Sequence, residues 1–141
     1  MPMRAFPADI SLLRRLRTLV RADLAGAGVG GEALDDVVMC VHEACMNAMQ
    51  HGSGKLSVRW ELVPGEVRVK VCDEGEGTPL PSGEAVPDTE QLTGRGLFLI
   101  RSLSRHFEAR VDGGARCLAF SVALGRRPQP MRGSAGFAVA N

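Results

Sequence analysis

The stretch KLSVRWELVPGEVRVKV, residues 55–71, constrains this chain more than any other. Leu56, Val58, Trp60 and Leu62 alternate with polar residues, Val67, Val69 and Val71 do the same, and Pro64-Gly65 stands between the runs. Successive side chains of a strand point to opposite faces, so the pattern predicts an antiparallel hairpin with one apolar face. A second pair repeats it: Phe107, Ala109 and Val111, a turn at Asp112 to Gly114, then Leu118, Phe120, Val122 and Leu124. Strands covered on both faces read as continuous apolar runs, so helices are expected on one side of the sheet only. The expected class is α+β, a two-layer α/β sandwich with a mainly antiparallel sheet.

The covering layer is legible in the remaining segments. Asp9 can cap a helix in which Ile10, Leu13, Leu16, Val20 and Leu24 recur every three or four positions, with Arg14, Arg17 and Arg21 on its other side. That basic stripe reads as a solvated face or as a surface for an acidic partner. Gly26, Gly28, Gly30 and Gly31 interrupt the pattern before a second helix from about Glu32 to His51, and Gly94 and Gly96 open a third running to about Ser104. The acidic, proline-bearing stretch from Glu74 to Thr93 has no Lys or Arg and is long enough to read as a lid or binding loop. Residues 1–124 then form one domain, and residues 125–141, which lack periodicity, are expected to be a disordered tail.

Bulk numbers leave function to local motifs. The 141 residues are 45% hydrophobic and 23% charged with a net charge of +1, which gives no general pull toward nucleic acid or membrane. No apolar run approaches the roughly 20 residues that cross a bilayer, and the N-terminus has no secretion-signal pattern, so the cytoplasm is the expected location. Cys40, Cys45, Cys72 and Cys117 form no CxxC pair and sit in apolar or alternating segments. Four buried, reduced thiols are expected.

Three segments carry candidate chemistry. On the second helix Glu43, Asn47 and His51 share the spacing i, i+4, i+8 and so one narrow stripe, within the otherwise apolar EACMNAM. The amide oxygen of Asn47 and the Glu43 carboxylate are hard donors suited to Mg²⁺, which retains waters and phosphate oxygens; three surface polar residues are the alternative. In VCDEGEG, Asp73 ends a strand and Gly75 and Gly77 follow. A carboxylate can accept the exocyclic amine of adenine and glycines let backbone approach a purine, although strand-end Asp-x-Gly also makes turns. In LTGRGLFLIRSL, a helix start rich in glycine offers free N–H groups to phosphate. It is neither a Walker A loop nor a Rossmann fingerprint.

Taken in order, ExxxNxxxH, DxGxG, a long loop and GxGL resemble the GHKL ATPase family, which includes histidine kinases and gyrase. The wording EACMNAMQHG, VCDEGEG and GRGLFLIRSL is similar to the bacterial anti-sigma-factor serine/threonine kinases within it. The resemblance spans Ala5 to Leu124 and implies the Bergerat (GHKL) ATP-binding fold, with ATP and Mg²⁺ as cofactors. It implies that Asn47 is the Mg²⁺ ligand and that Glu43 polarises the attacking hydroxyl. Asp73 would bind the adenine amine, Gly75 and Gly77 would shape the adenine pocket, and Thr93 with Gly94, Arg95, Gly96 and Leu97 would close over the phosphates. The implied partners are a sigma factor and a STAS-type anti-anti-sigma antagonist, with no nucleic acid or membrane involved and a homodimer left open. A non-catalytic, nucleotide-sensing binding module is the alternative, and the presence of Glu43 weighs against it. A histidine kinase fragment fits poorly, because the first helix contains no histidine to accept phosphate.

Overall fold

The computed structural model describes residues 10–51, 56–73, 92–112, 115–125 and 134–140. The chain runs through α1 (Ile10–Gly26), α2 (Gly31–His51), β1 (Leu56–Val63), β2 (Glu66–Asp73), α3 (Leu92–Leu103), β3 (His106–Asp112), β4 (Ala115–Ala123) and β5 (Ser134–Ala140). The strands form one sheet in the order β3-β4-β2-β1-β5, and every pair is antiparallel. Asp9, Gly75 and Gly77 lie outside the described residues, as does most of the acidic loop.

Both expected hairpins form, and their alternation decides which face is covered. Leu56, Val58, Trp60, Leu62, Val67, Val69 and Val71 are buried, as are Leu118, Phe120 and Val122 of β4. Arg59, Glu61, Arg68 and Glu108 point the other way into solvent. Gly65 sits at φ 82° in the β1–β2 turn, a left-handed conformation that glycine adopts without steric cost. Against the apolar face, α2 packs over β1, β2 and β4, α3 over β3 and β4, and α1 over β5. Val111 departs from the expected pattern: on the edge strand β3 it is 44% exposed.

The helices obey the periodicity that the sequence carries. Leu13, Leu16, Val20 and Leu24 make the buried stripe of α1, while Val37, Val41, Ala44, Cys45 and Ala48 make that of α2. Termination of α1 follows from local chemistry: Gly28 at φ 99° donates to Ala25 O, Val29 donates to Leu24 O, and both Val29 and Leu24 are buried. These bonds and this apolar contact define a Schellman end. Arg21, on the basic face, pairs at 3.0 Å with Asp35 of α2.

Two expectations are corrected here. Residues 134–140 of the expected disordered tail are strand β5, paired with β1 from Leu56↔Ala140 to Leu62↔Ser134. The segment SAGFAVA shows no polar–apolar alternation, but β1 offers it an edge of unpaired backbone groups, and ladder bonds need no side-chain pattern. Small residues also suit the site. Gly136 lies directly opposite Trp60, and a Cβ at Gly136 would overlap the indole ring. The Gly136→Ala substitution is therefore expected to destabilise the fold by about 1–3 kcal/mol through overpacking. An unchanged calorimetric melting temperature would contradict the docking of β5 under Trp60.

The second correction concerns the thiols. Cys72 and Cys117 stand opposite each other in the β2–β4 register, with Cα atoms 4.1 Å apart, and form a disulfide. Spacing along the chain could not show this, since the two are 45 residues apart and meet only through strand register. Cys40 and Cys45 are free and buried as expected. Burial pushes both thiols up to about 12, with the Asp36 and Glu43 carboxylates adding to the rise at Cys40. Neither is a nucleophile near neutral pH.

Candidate functional site

The C-terminal half of α2 and one end of the sheet converge because the connection between them is short. Only residues 52–55 join His51 to Leu56, and Leu56 pairs with Asp73, which in turn pairs with Arg116. The five Cα–Cα steps from His51 to Leu56 reach no more than about 18 Å, so the end of α2 stays near that sheet end.

Asn47 is the informative residue on α2. It is 3% exposed, and neither its amide oxygen nor its amide nitrogen has a hydrogen-bond partner. Such a group costs about 1–3 kcal/mol when left unsatisfied, and native structures rarely retain one without a reason. Its burial contradicts the reading of this stripe as three surface polar residues. An unengaged Oδ1 in a shielded position fits the needs of a hard cation such as Mg²⁺, for which a neutral amide oxygen is a suitable ligand.

Glu43, one turn earlier and half-buried, meets the start of α3. A Cβ built on Gly96 would stand 2.9 Å from Glu43 Oε2, so the missing side chain at Gly96 is what lets the carboxylate lie against the helix. Helix α3 begins at Leu92, earlier than the Gly94 expected. The N–H groups of its first turn, which helical geometry leaves without intrahelical partners, therefore belong to residues 92–95 and include Thr93, Gly94 and Arg95. Leu97 is different: its side chain is fully buried beside Ile100 in the core. It anchors α3 in the core.

Asp73 closes β2 on the helix-covered face and is 4% exposed. Arg116 Nε donates to Asp73 Oδ1 at 3.1 Å, and both side chains are 5% exposed. A buried carboxylate held by a buried guanidinium is stable as a pair, and each member would be costly alone. Sequence reasoning passed over Arg116. The signal was present, because the alternation of Leu118, Phe120 and Val122 extends back to position 116 and turns it inward.

The histidines contribute less. His51 ends α2, His42 is half-buried with Nδ1 unpartnered, and His106 is exposed at the start of β3. Among the described residues no cluster of three or more His, Cys, Asp or Glu could hold a metal by itself. No described helix is long and apolar enough to cross a membrane.

A two-layer sandwich with an orphaned Asn on α2, a carboxylate at the end of β2 and a glycine-bearing helix start now stands beside the comparisons with known proteins. A family model described as the histidine kinase-like ATPase domain matches residues 6–122. The chain belongs to the histidine kinase-like ATPase family. This histidine kinase-like domain is 27% identical over 115 residues to a serine-protein kinase RsbW of Bacillus licheniformis, covering 68% of this chain and 71% of the relative. It is 29% identical over 115 residues to the serine-protein kinase RsbW of Listeria innocua, covering 69% and 73%. Among solved structures, the catalytic domain of histidine kinase ThkA superposes with a TM-score of 0.54 at 16% identity, over 81% of this chain and 90% of that one. The histidine kinase domain of a blue-light activated histidine kinase from Erythrobacter litoralis gives 0.51 at 20% identity, over 81% of this chain and 60% of that one. These two likenesses establish the common α+β sandwich, as the alternation in the sequence implied.

Proposed function

We propose that this chain is an Mg-ATP-dependent serine/threonine protein kinase that regulates bacterial transcription by partner switching. The observation that carries the reading is Asn47, a buried amide with neither polar atom engaged, one turn from Glu43 on the helix that packs over β2 and β4. Membership of an ATPase family and likeness to proteins called serine-protein kinases support it.

In this reading Asp73 accepts the exocyclic amine of adenine, and Gly75 and Gly77 shape the pocket around the base. The start of α3, from Thr93 through Arg95, presents backbone N–H groups to the phosphates, Gly96 and Leu97 continue the helix behind them, and Arg95 adds a guanidinium. Asn47 Oδ1 would hold Mg²⁺, which when bound would neutralise phosphate charge. Glu43 accepts a hydrogen bond from the attacking hydroxyl and draws its proton as the oxygen turns nucleophilic. The lack of a side chain at Gly96 leaves room for this carboxylate beside α3. The acceptor is a STAS-type antagonist, and a sigma factor is the protein released or held; the chain acts in the cytoplasm, without direct contact to nucleic acid, and is compatible with a homodimer.

Glu43→Gln provides the test. Phosphorylation of a cognate antagonist by labelled ATP is expected to fall by roughly 10²–10⁴-fold, the usual contribution of a general base. The thermal shift with Mg-ATP is expected to persist, since the amide keeps the shape at Gly96. If the wild-type chain binds ATP and regulates its partner but forms no phosphoprotein at any Mg²⁺ concentration, the nucleotide-sensing module replaces the kinase.

A further inference from the structure

Arg116 is 4% exposed, faces the helix-covered side of the sheet, and uses only part of its bonding capacity on Asp73. Its Nε is engaged at 3.1 Å, whereas its Nη2 is buried with no hydrogen-bond partner. A guanidinium carries five N–H donors in a rigid planar fork, and a fully buried one seldom leaves a terminal nitrogen idle. Arg116 stands opposite Asp73 in the β2–β4 register, so the orphaned Nη2 lies at the sheet end that holds this carboxylate.

We propose that Arg116 is a base-reading residue, whose Nη2 donates to a ring nitrogen of the same purine that Asp73 binds through its amine. The proposal rests on the ATP-binding reading given above and adds a recognition element on β4. Adenine presents its amine donor flanked by two acceptors, N1 on one edge and N7 on the other. The Asp73–Arg116 pair presents the complement, an acceptor beside a donor. A carboxylate's two oxygens offer about four acceptor positions, so a carboxylate in an ion pair is compatible with a bond from the amine. Because the fork is rigid, the bond from Nε to Oδ1 also fixes where Nη2 lies relative to the carboxylate. Arg116 thereby reads the ring nitrogen next to whatever group Asp73 accepts from.

Competition against a fluorescent, ribose-labelled ATP measures this on the full chain. Wild-type protein is expected to bind either 1-deaza-ATP or 7-deaza-ATP about tenfold or more weakly than ATP, as befits loss of one hydrogen bond to a charged donor. The other analogue should bind as ATP does, which identifies the nitrogen. In Arg116→Met, ATP is expected to drop to the level of the disfavoured analogue, so that discrimination disappears. Arg116→Lys, with a flexible point charge for a planar fork, should restore Asp73's counter-ion without restoring discrimination. Met at 116 leaves Asp73 buried without its partner and risks unfolding, so Arg116→Lys, which keeps a positive charge beside Asp73, serves as the second background, and the wild-type comparison needs no variant at all. Equal binding of all three nucleotides to wild type, or discrimination that survives Arg116→Met, overturns the role of Arg116 while leaving ATP binding intact. Failure of wild type to bind ATP at all overturns both.

Discussion

Asn47→Ala is expected to abolish the stabilisation by Mg-ATP while leaving the unliganded chain as stable as before or more so. A ligand that binds only the native state at about 100 times its dissociation constant adds about 2.7 kcal/mol. If Asn47 supplies the oxygen that holds Mg²⁺, its removal should cancel nearly all of that. The sign of the unliganded effect follows from the amide's own state: both polar atoms are buried and unengaged, so the wild-type chain already bears the desolvation cost. Alanine, a better helix former, relieves it. Thermal melts with and without Mg-ATP measure both quantities, and a full nucleotide shift in Asn47→Ala would refute the assignment. Asp73→Asn behaves differently, because it leaves Arg116 buried without its carboxylate. Loss of one member of a buried pair costs about 3–5 kcal/mol, so this variant should lose stability as well as nucleotide response. The two substitutions appear equivalent in the sequence, and the ion pair separates them.

Trp60→Ala is expected to be the most damaging single truncation, at about 3–5 kcal/mol. The indole is 1% exposed, covers Gly136 of β5, and donates through Nε1 to Asp23 Oδ2 of α1 at 2.7 Å. It therefore joins β1, β5 and α1 at one point. Since domains of this size are stable by about 5–15 kcal/mol, the loss removes a large share of the total. Trp60→Phe keeps most of the packing and forfeits the N–H bond, so it should cost far less, about 1 kcal/mol for the bond plus a smaller packing loss. Urea denaturation of the two variants checks the ranking, and an Ala variant no weaker than the Phe variant would contradict the view of Trp60 as a three-element anchor.

Local periodicity explains what was legible before the structure. Leu13, Leu16, Val20 and Leu24 identify α1, and Leu56 through Val71 identify the first hairpin, because the 3.6- and 2-residue repeats are set within a single element. The pattern of Glu43, Asn47, Asp73 and the glycines around Arg95 was readable for the same reason: each piece is a short run whose spacing is fixed by a helix or a strand end. Even the inward direction of Arg116 was encoded, although a basic residue at the edge of an alternating run is easily discounted.

What the sequence alone could not determine depends on partners far along the chain. That Ser134–Ala140 become a strand depends on the open edge of β1, and that Gly136 is required there depends on the ring across from it. The Cys72–Cys117 bond and the Asp73–Arg116 pair are successive rungs of the β2–β4 ladder, and a one-residue slip would have abolished both. The alternating hairpins and amphipathic helices made the α+β sandwich readable by themselves, since hydrophobic period is a local property. Burial of Asn47, engagement of Asp73 by Arg116 and the fit of Glu43 against Gly96 were decided only by tertiary structure, because register and helix docking choose which polar atoms lose water and which find a partner.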